Sequence, residues 1–153
     1  MEVQLIPCYT DRNLFLSMAR DYVNTLSEYD RTIRWDESIW THAMWKAKFI
    51  IEGRTAQGFV ITEPVLFAIF EDALYIEEFY VVPEARRSGV GLATVKAILS
   101  NWNKDVFLYI LDKNRQARLF WNAVEAELEW KRINRPEIKQ EKGCELRVYQ
   151  THA

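Results

Sequence analysis

The sequence predicts a mixed α/β domain built around one largely antiparallel sheet and flanked by helices. Apolar runs rich in β-branched and aromatic residues recur along the chain, most clearly at Leu74–Val82 and Asp105–Leu111. Segments with apolar residues at helical spacing stand between them, two of which open on Asp11 and Asn114 as caps. No repeat, low-complexity tract or Pro/Gly-rich linker interrupts the 153 residues, so a single domain over residues 1–153 is expected.

Each element has its own signal. Val3–Thr10 reads as a first strand. Asp11 caps a helix to about Thr25, with Leu14, Met18, Tyr22 and Leu26 as its apolar stripe. A short helix follows near Asp36–Trp45, with Ile39, Trp40, Ala43 and Met44 on neighbouring turns. Lys46–Gly53 is a strand ending in a turn at Gly53, and Gln57–Thr62 is the next. Pro64 breaks the pattern, Val65–Phe70 is apolar enough for a strand, and "EDA" (Glu71–Ala73) reads as a turn. Leu74–Val82 is a strong strand ended by Pro83. A helix from about Gly89 to Trp102 buries Leu92, Ala93, Val95, Ala97 and Leu99. Asp105–Leu111 is a strand, and Asn114 opens a helix to about Leu128 with Ala117, Phe120, Trp121 and Val124 on one face. "EWKRI" and "CELRVYQ" finish the chain as short strands, giving the order β-α-α-β-β-β-α-β-α-β-β.

The composition narrows the function classes. A hydrophobic share of 49% with 27% charged residues is that of a globular chain with a real core. The net charge of -2 gives no bulk attraction to nucleic acid or anionic membrane. The N-terminus lacks a basic region followed by an apolar core, and no run approaches the roughly 18 apolar residues of a membrane span. Cys8 and Cys144 lack any paired spacing and fit free thiols in a reducing cytosol better than a disulfide. With only His42 and His152 there is no Cys/His cluster, so no metal is expected. Most of the aromatic rings are expected in the core, although Trp35, Trp40 and Trp45 also suit the wall of an acceptor cleft.

The chemistry concentrates in "VVPEARRSGVGLATVKAI" (Val81–Ile98). A buried strand leads through Pro83 into a loop, and the loop into a helix that carries Gly89 and Gly91 at its mouth. The start of a helix leaves backbone N–H groups unpaired and carries partial positive charge. Glycine removes the Cβ that would hold a large anion away from them. Arg86 and Arg87 add fixed charge and forked donors, and Ser88 a hydroxyl. Glycines alone also suit a loop that merely turns into a closely packed helix. The arginines and the strand-loop-helix setting favour a pyrophosphate. No Walker loop exists, and the dinucleotide fingerprint fails at Thr94 and in its surroundings.

"RRSGVG" (Arg86–Gly91) resembles the R/Q-x-x-G-x-G/A signature of the GNAT N-acetyltransferases, the family that uses acetyl-coenzyme A. "NRQARLFW" (Asn114–Trp121) is similar to that family's second signature, Asn-x-x-Ala-x-x-Phe/Leu-Tyr, on the helix after the next strand. The pair covers about Leu74–Glu129 in the family's order and spacing, and the element order extends the likeness over the chain.

The resemblance implies a GNAT-like fold and acetyl-CoA as co-substrate. It places the pyrophosphate over Arg86, Arg87, Ser88, Gly89, Val90, Gly91 and Leu92. The pantetheine arm falls to the strand residues Phe79, Tyr80 and Val81 and to Asn114, Ala117, Phe120 and Trp121; Asn114 can cap its helix at the same time. Acyl transfer to an amine needs a proton acceptor. Glu77 and Glu78 lie just upstream and alternate in facing, so one of them is a solvated face residue. Glu77 is favoured because it shares parity with Phe79 and Val81, and Tyr75 is a further proton carrier. The acids resemble those of polyamine acetyltransferases, with Glu28, Tyr29 and Asp30 in the loop after the first helix as an acidic acceptor wall; a solvated loop fits these three as well.

The second signature departs from the family at Trp121, where a tyrosine commonly protonates the departing thiolate. Indole cannot act as that acid, which leaves Tyr109 or Tyr75 as substitutes. The leading reading is an N-acetyltransferase for a small primary amine, cytoplasmic and a possible homodimer through "CELRVYQ". The alternatives are a protein or peptide acceptor, and a non-catalytic acetyl-CoA sensor.

Overall fold

The computed structural model describes residues 1–68 and 71–151. Its elements are β1 (Gln4–Pro7), α1 (Arg12–Tyr29), α2 (Glu37–Ala43), β2 (Ala47–Glu52), β3 (Thr55–Ala68), β4 (Glu71–Val81), α3 (Val90–Leu99), β5 (Asp105–Leu111), α4 (Arg115–Glu127), β6 (Lys131–Arg132) and β7 (Cys144–Gln150). This is the predicted alternation of strands and helices, except that Gln57–Thr62 and Val65–Ala68, expected in separate strands, both belong to β3. The strands form a seven-stranded sheet, β1-β2-β3-β4-β5-β7-β6. β1/β2, β2/β3, β5/β7 and β6/β7 pair antiparallel, while β4 and β5 run parallel. No helix among the described residues is long and apolar enough to cross a membrane.

Several expectations need correction. β3 runs unbroken through Pro64; on the β2 side the ladder ends at the pair Ala47/Ile61, so the missing N–H costs no bond to β2. Of the expected strand 65–70, Ile69 and Phe70 lie outside the described residues. Glu71–Ala73 is the start of β4 rather than a turn. Asp11 caps α1 as expected, its carboxylate accepting from the Leu14 N–H at 3.1 Å. The helix continues past Thr25 to Tyr29, and its buried face is Phe15, Leu16, Met18, Ala19 and Val23, with Leu14 37% exposed. β7 lies between β5 and β6, so it is not an edge strand.

The chain divides into two compact units, Met1–Thr62 with Glu78–Asn101 and Glu63–Glu77 with Trp102–Ala153. The first is a two-faced sheet. Phe49, Phe59, Ile61 and Tyr80 pack with Phe15, Met18, Ala19 and Val23 of α1 and Trp40 of α2. The alternate residues Ile50, Val60, Phe79 and Val81 pack with Val90 and Ile98 of α3. Tyr22 stands edge-on to Phe59 at 5.5 Å and to Trp40 at 6.0 Å, and lies 5.6 Å from Tyr80. Such ring pairs add about 0.5–1.5 kcal/mol each beyond the area they bury. A β-bulge interrupts the β2/β3 register between Ile50 and Ile51, and the Gln57 carbonyl accepts from the Val82 N–H at 2.8 Å. Beside it, a Cβ on Gly58 would lie 1.8 Å from the Tyr80 carbonyl oxygen, so only glycine lets β3 come this close to β4.

In the second unit Ala73, Tyr75, Phe107, Tyr109 and Val148 pack with Ile133 and Ile138 of the segment between β6 and β7. The alternate residues of β7 carry polar groups to α4. Arg147 is 3% exposed and donates to Asn122 Oδ1 at 2.7 Å and Glu145 Oε1 at 3.1 Å; its Nη1 also lies 3.5 Å from Glu125 Oε2. The Tyr149 hydroxyl donates to Glu125 Oε2 at 2.8 Å. Burial pushes that phenol up to about 12, the neighbouring Glu125 charge acting the same way and Arg147 opposing.

Candidate functional site

The turn before α3 has an unusual backbone. Arg87 takes φ 62° and Gly89 φ 91°, both left-handed, within three residues. Glycine tolerates this at no cost, whereas an arginine held there carries strain. α3 has no side-chain cap at Gly89, and its first intrahelical bond is Ala93 N–H to the Gly89 carbonyl at 3.0 Å. The amides of Val90, Gly91 and Leu92 precede that bond and have no acceptor within the helix. A Cβ on Gly89 would meet only the Met1 Cε, at 4.0 Å, so the space over the turn is open.

The side chains of the turn are partly committed to holding its shape. Arg86 Nε donates to the Val81 carbonyl at 2.9 Å, and its guanidinium lies 5.9 Å from the Tyr80 ring. The Ser88 hydroxyl donates to the Ala85 carbonyl and closes the loop on itself. Arg87 is exposed. These bonds do not use the terminal nitrogens of Arg86, the Arg87 guanidinium or the first amides of the helix.

At the end of β4, Phe79 and Val81 share the apolar cluster of Val90, while Tyr80 turns to the opposite face against Tyr22 and Phe59. Burial raises the Tyr80 phenol above its ordinary value, with Asp21 adding to it. Glu77 and Glu78 are half-buried, and one carboxylate oxygen of Glu78 is buried. Tyr75 stacks on Phe107 at 4.8 Å and stands edge-on to Tyr109 at 5.9 Å, in the core of the second unit. The parallel β4/β5 ladder runs over three residue pairs, ending at Tyr75/Phe107, although both strands continue beyond it.

In α4, Asn114 Oδ1 accepts from the Ala117 N–H at 3.0 Å, so the cap is real and leaves the amide nitrogen as a donor. Ala117 and Phe120 are half-buried. Trp121 is buried at 6% exposure with the Phe120 ring 4.9 Å away, which makes it a core residue of α4. The Tyr109 hydroxyl donates to the Lys139 carbonyl at 2.6 Å, and burial raises its phenol above the ordinary value.

Glu28 and Tyr29 fall in the last turn of α1, not in a loop, because the helix runs on to Asp30 as its C-cap. A cavity of about 370 Å³ beside that end of α1 is lined by Asn24, Ser27, Arg31, Arg34 and Trp35, without Glu28 or Tyr29. Sequence reasoning passed over this arginine pair, whose signal was the spacing in "DRTIRWD" (Asp30–Asp36). It also passed over Gly58 and the buried Arg147, which carry no local signal. Among the described residues no group of His, Cys, Asp and Glu is placed to hold a metal ion.

No family model matches the sequence, and no curated protein matches it. Solved structures do. An acetyltransferase of the GNAT family from Bacillus cereus aligns with a TM-score of 0.64 at 15% identity, over 97% of this chain and 94% of that one. The NatC complex bound to Gag peptide and CoA contains a chain with a TM-score of 0.62 at 10% identity, 97% of each chain being covered. The diaminobutyrate acetyltransferase EctA of Paenibacillus lautus, in complex with L-2,4-diaminobutyric acid and coenzyme A, gives 0.64 at 9% identity over 96% and 92%. At these identities the likeness is one of fold, and the chain has the fold of the GNAT acetyltransferases.

Proposed function

We propose that this chain is an acetyl-CoA-dependent N-acetyltransferase acting on the primary amine of a small molecule. The turn Arg86–Gly91 carries the reading. It combines an uncapped helix start, left-handed Arg87 and Gly89, open space over Gly89 and two arginines, in a sequence that resembles the coenzyme A signature. That combination suits a pyrophosphate.

Bound acetyl-CoA supplies an activated thioester. The chain's own groups have the remaining tasks. The amides of Val90, Gly91 and Leu92, with Arg87 and the terminal nitrogens of Arg86, hold the phosphates. Phe79 and Val81 offer backbone groups to the pantetheine, Asn114 its amide nitrogen, and Ala117 a low helix surface. Glu77 takes the proton of the incoming amine, directly or through water, and the Val81 N–H donates to the carbonyl oxygen as it gains charge. The Tyr109 proton is held by the Lys139 carbonyl and Trp121 is not an acid, so neither of these protonates the departing thiolate, and Tyr75 is the remaining tyrosine candidate. The enzyme works in the cytosol, and the sheet edges β1 and β6 are where a homodimer would join.

Two other readings have support. A peptide acceptor suits the same fold, as in the NatC complex bound to Gag peptide. An acetyl-CoA sensor suits the buried Trp121. Isothermal titration with acetyl-CoA, followed by thiol release over a panel of amines and peptides, separates the three. Binding with release for small amines supports the enzyme; binding without release for any acceptor favours the sensor; absence of binding removes all three. In Glu77→Gln we expect turnover to fall about 100-fold or more with coenzyme affinity nearly unchanged. Equal turnover would exclude Glu77 as the base.

A further inference from the structure

The loop joining α1 to α2 holds two acids and two arginines, and they have different fates. Asp30 Oδ1 accepts from the Thr32 N–H at 2.9 Å and from its hydroxyl at 2.7 Å. Asp36 Oδ1 accepts from the Ser38 hydroxyl at 2.8 Å and from the N–H groups of Ser38 and Ile39, which hold the carboxyl below its ordinary value. Asp30 therefore shapes the loop and Asp36 caps α2. Arg31 and Arg34 have no ion-pair partner among the described residues, and both line the cavity of about 370 Å³.

The rest of that cavity suits the same ligand. Asn24 of α1 adds a neutral amide donor, the Ser27 hydroxyl already donating to the Asn24 carbonyl at 2.7 Å, and no carboxylate lines it. Trp35 forms one wall, with the Arg20 guanidinium 6.0 Å from its ring as a third nearby cation. Trp35 is held in place by stacking on Trp40 at 6.5 Å and 14°. Through Tyr22 that ring cluster reaches Tyr80 of β4. Two guanidinium forks over an open, carboxylate-free hollow match an oxyanion and repel an ammonium.

We propose that this cavity is an oxyanion site that takes the carboxylate or phosphate of the acceptor. The acceptor is then an anionic amine rather than a polyamine. The acceptor role rests on the acetyltransferase reading; the anion site does not.

The test uses the full chain and four probes: β-alanine, phosphoethanolamine, propylamine and putrescine. The Nε–Hε NMR resonances of Arg31 and Arg34 are followed as each is added. Both resonances are expected to move with β-alanine or phosphoethanolamine and to stay put with the other two; the tighter of the two anions identifies the headgroup. The double variant Arg31→Gln/Arg34→Gln should weaken that binding by about tenfold or more and raise KM for the anionic amine, while acetyl-CoA affinity stays as in the wild type. Movement with propylamine or putrescine, or none with either anion at millimolar concentration, overturns the anion site. Absence of acetyl-CoA binding by the wild type instead removes the acceptor role and leaves the anion site standing on its NMR shifts.

Discussion

Two helix starts in this molecule solve the same problem in different ways. Every helix begins with unpaired N–H groups and a partial positive charge. α4 answers with its own side chain, Asn114 capping Ala117, and α1 and α2 do likewise through Asp11 and Asp36. α3 begins at Gly89 with no side-chain cap. A capping side chain is worth about 0.5–2 kcal/mol over alanine but only a few tenths over glycine, so starting at Gly89 leaves α3 uncapped at little cost in stability. The comparison teaches that a helix start is a ligand site only where the chain withholds its own acceptor. Under the function proposed above, the missing acceptor at α3 is a phosphate; at α4 the asparagine oxygen is already engaged, and only its amide nitrogen is left to a ligand.

The largest expected effect comes from placing an acceptor of the wrong charge at the uncapped start. Gly89→Glu should weaken acetyl-CoA binding beyond detection by titration calorimetry, with the far-UV circular dichroism of a folded chain. The left-handed φ adds about 1–2 kcal/mol of strain for any side chain, and Gly89→Asn, which tolerates that backbone best, is the control. Retained binding in Gly89→Glu would mean that the phosphates sit elsewhere. The capped start should behave in the opposite sense. Asn114→Ala is expected to cost about 1 kcal/mol in denaturant unfolding, with less than about tenfold change in coenzyme affinity. Asn114→Asp keeps the cap and should regain the stability while lacking the amide donor, so coenzyme affinity separates the two roles of this side chain.

The smallest effect lies at the far end of α4. Burial alone would raise the Glu125 carboxyl; hydrogen bonds from Arg132 and Tyr149, with the charges of Arg132 and Arg147, outweigh it and hold the group below its ordinary 4.5. A depressed carboxyl contributes stability above its unfolded pKa and loses it as pH falls through the folded one. The melting temperature of Glu125→Gln should therefore lie below that of the wild type at neutral pH. The gap should close progressively below about pH 4.5. A gap that does not change with pH would mean that Glu125 acts by packing alone.

What was legible in the sequence follows from how local each cause is. Asp105–Leu111 is an apolar run and Cys144–Gln150 alternates polar with apolar residues, and both are strands over those residues. Asn114 and Asp11 announce their helices because a cap acts within one turn. The strand-loop-helix turn with its glycines at the helix start was readable for the same reason: glycine, arginine and the following helix are neighbours in the chain. Pro64 misled because its cost depends on which neighbour its N–H would face, and on the β2 side the ladder has already ended there. The face of α1 was misjudged since Leu14 and Phe15 are equally apolar, and only the sheet decides which is covered. Arg147 looks like a surface residue of an edge strand until α4 brings Asn122 and Glu125 to it. The cavity at Arg31 and Arg34 depended on where Asp30 and Asp36 turn, which hydrogen bonding settles after folding.

The close approach at Gly58 has a bearing on how activity screens of this protein are interpreted. Gly53 and Gly143 have nothing within 4 Å of an added Cβ, whereas at Gly58 the same atom would lie 1.8 Å from a backbone oxygen of the neighbouring strand. A saturation library scored by activity would rank Gly58 and Gly89 together as intolerant. Survivors of heat treatment would separate them, since Gly58 variants disappear from the folded pool and Gly89 variants remain in it without function. Two glycines of equal apparent importance thus report on different selections, one for assembling the sheet and one for what the sheet presents.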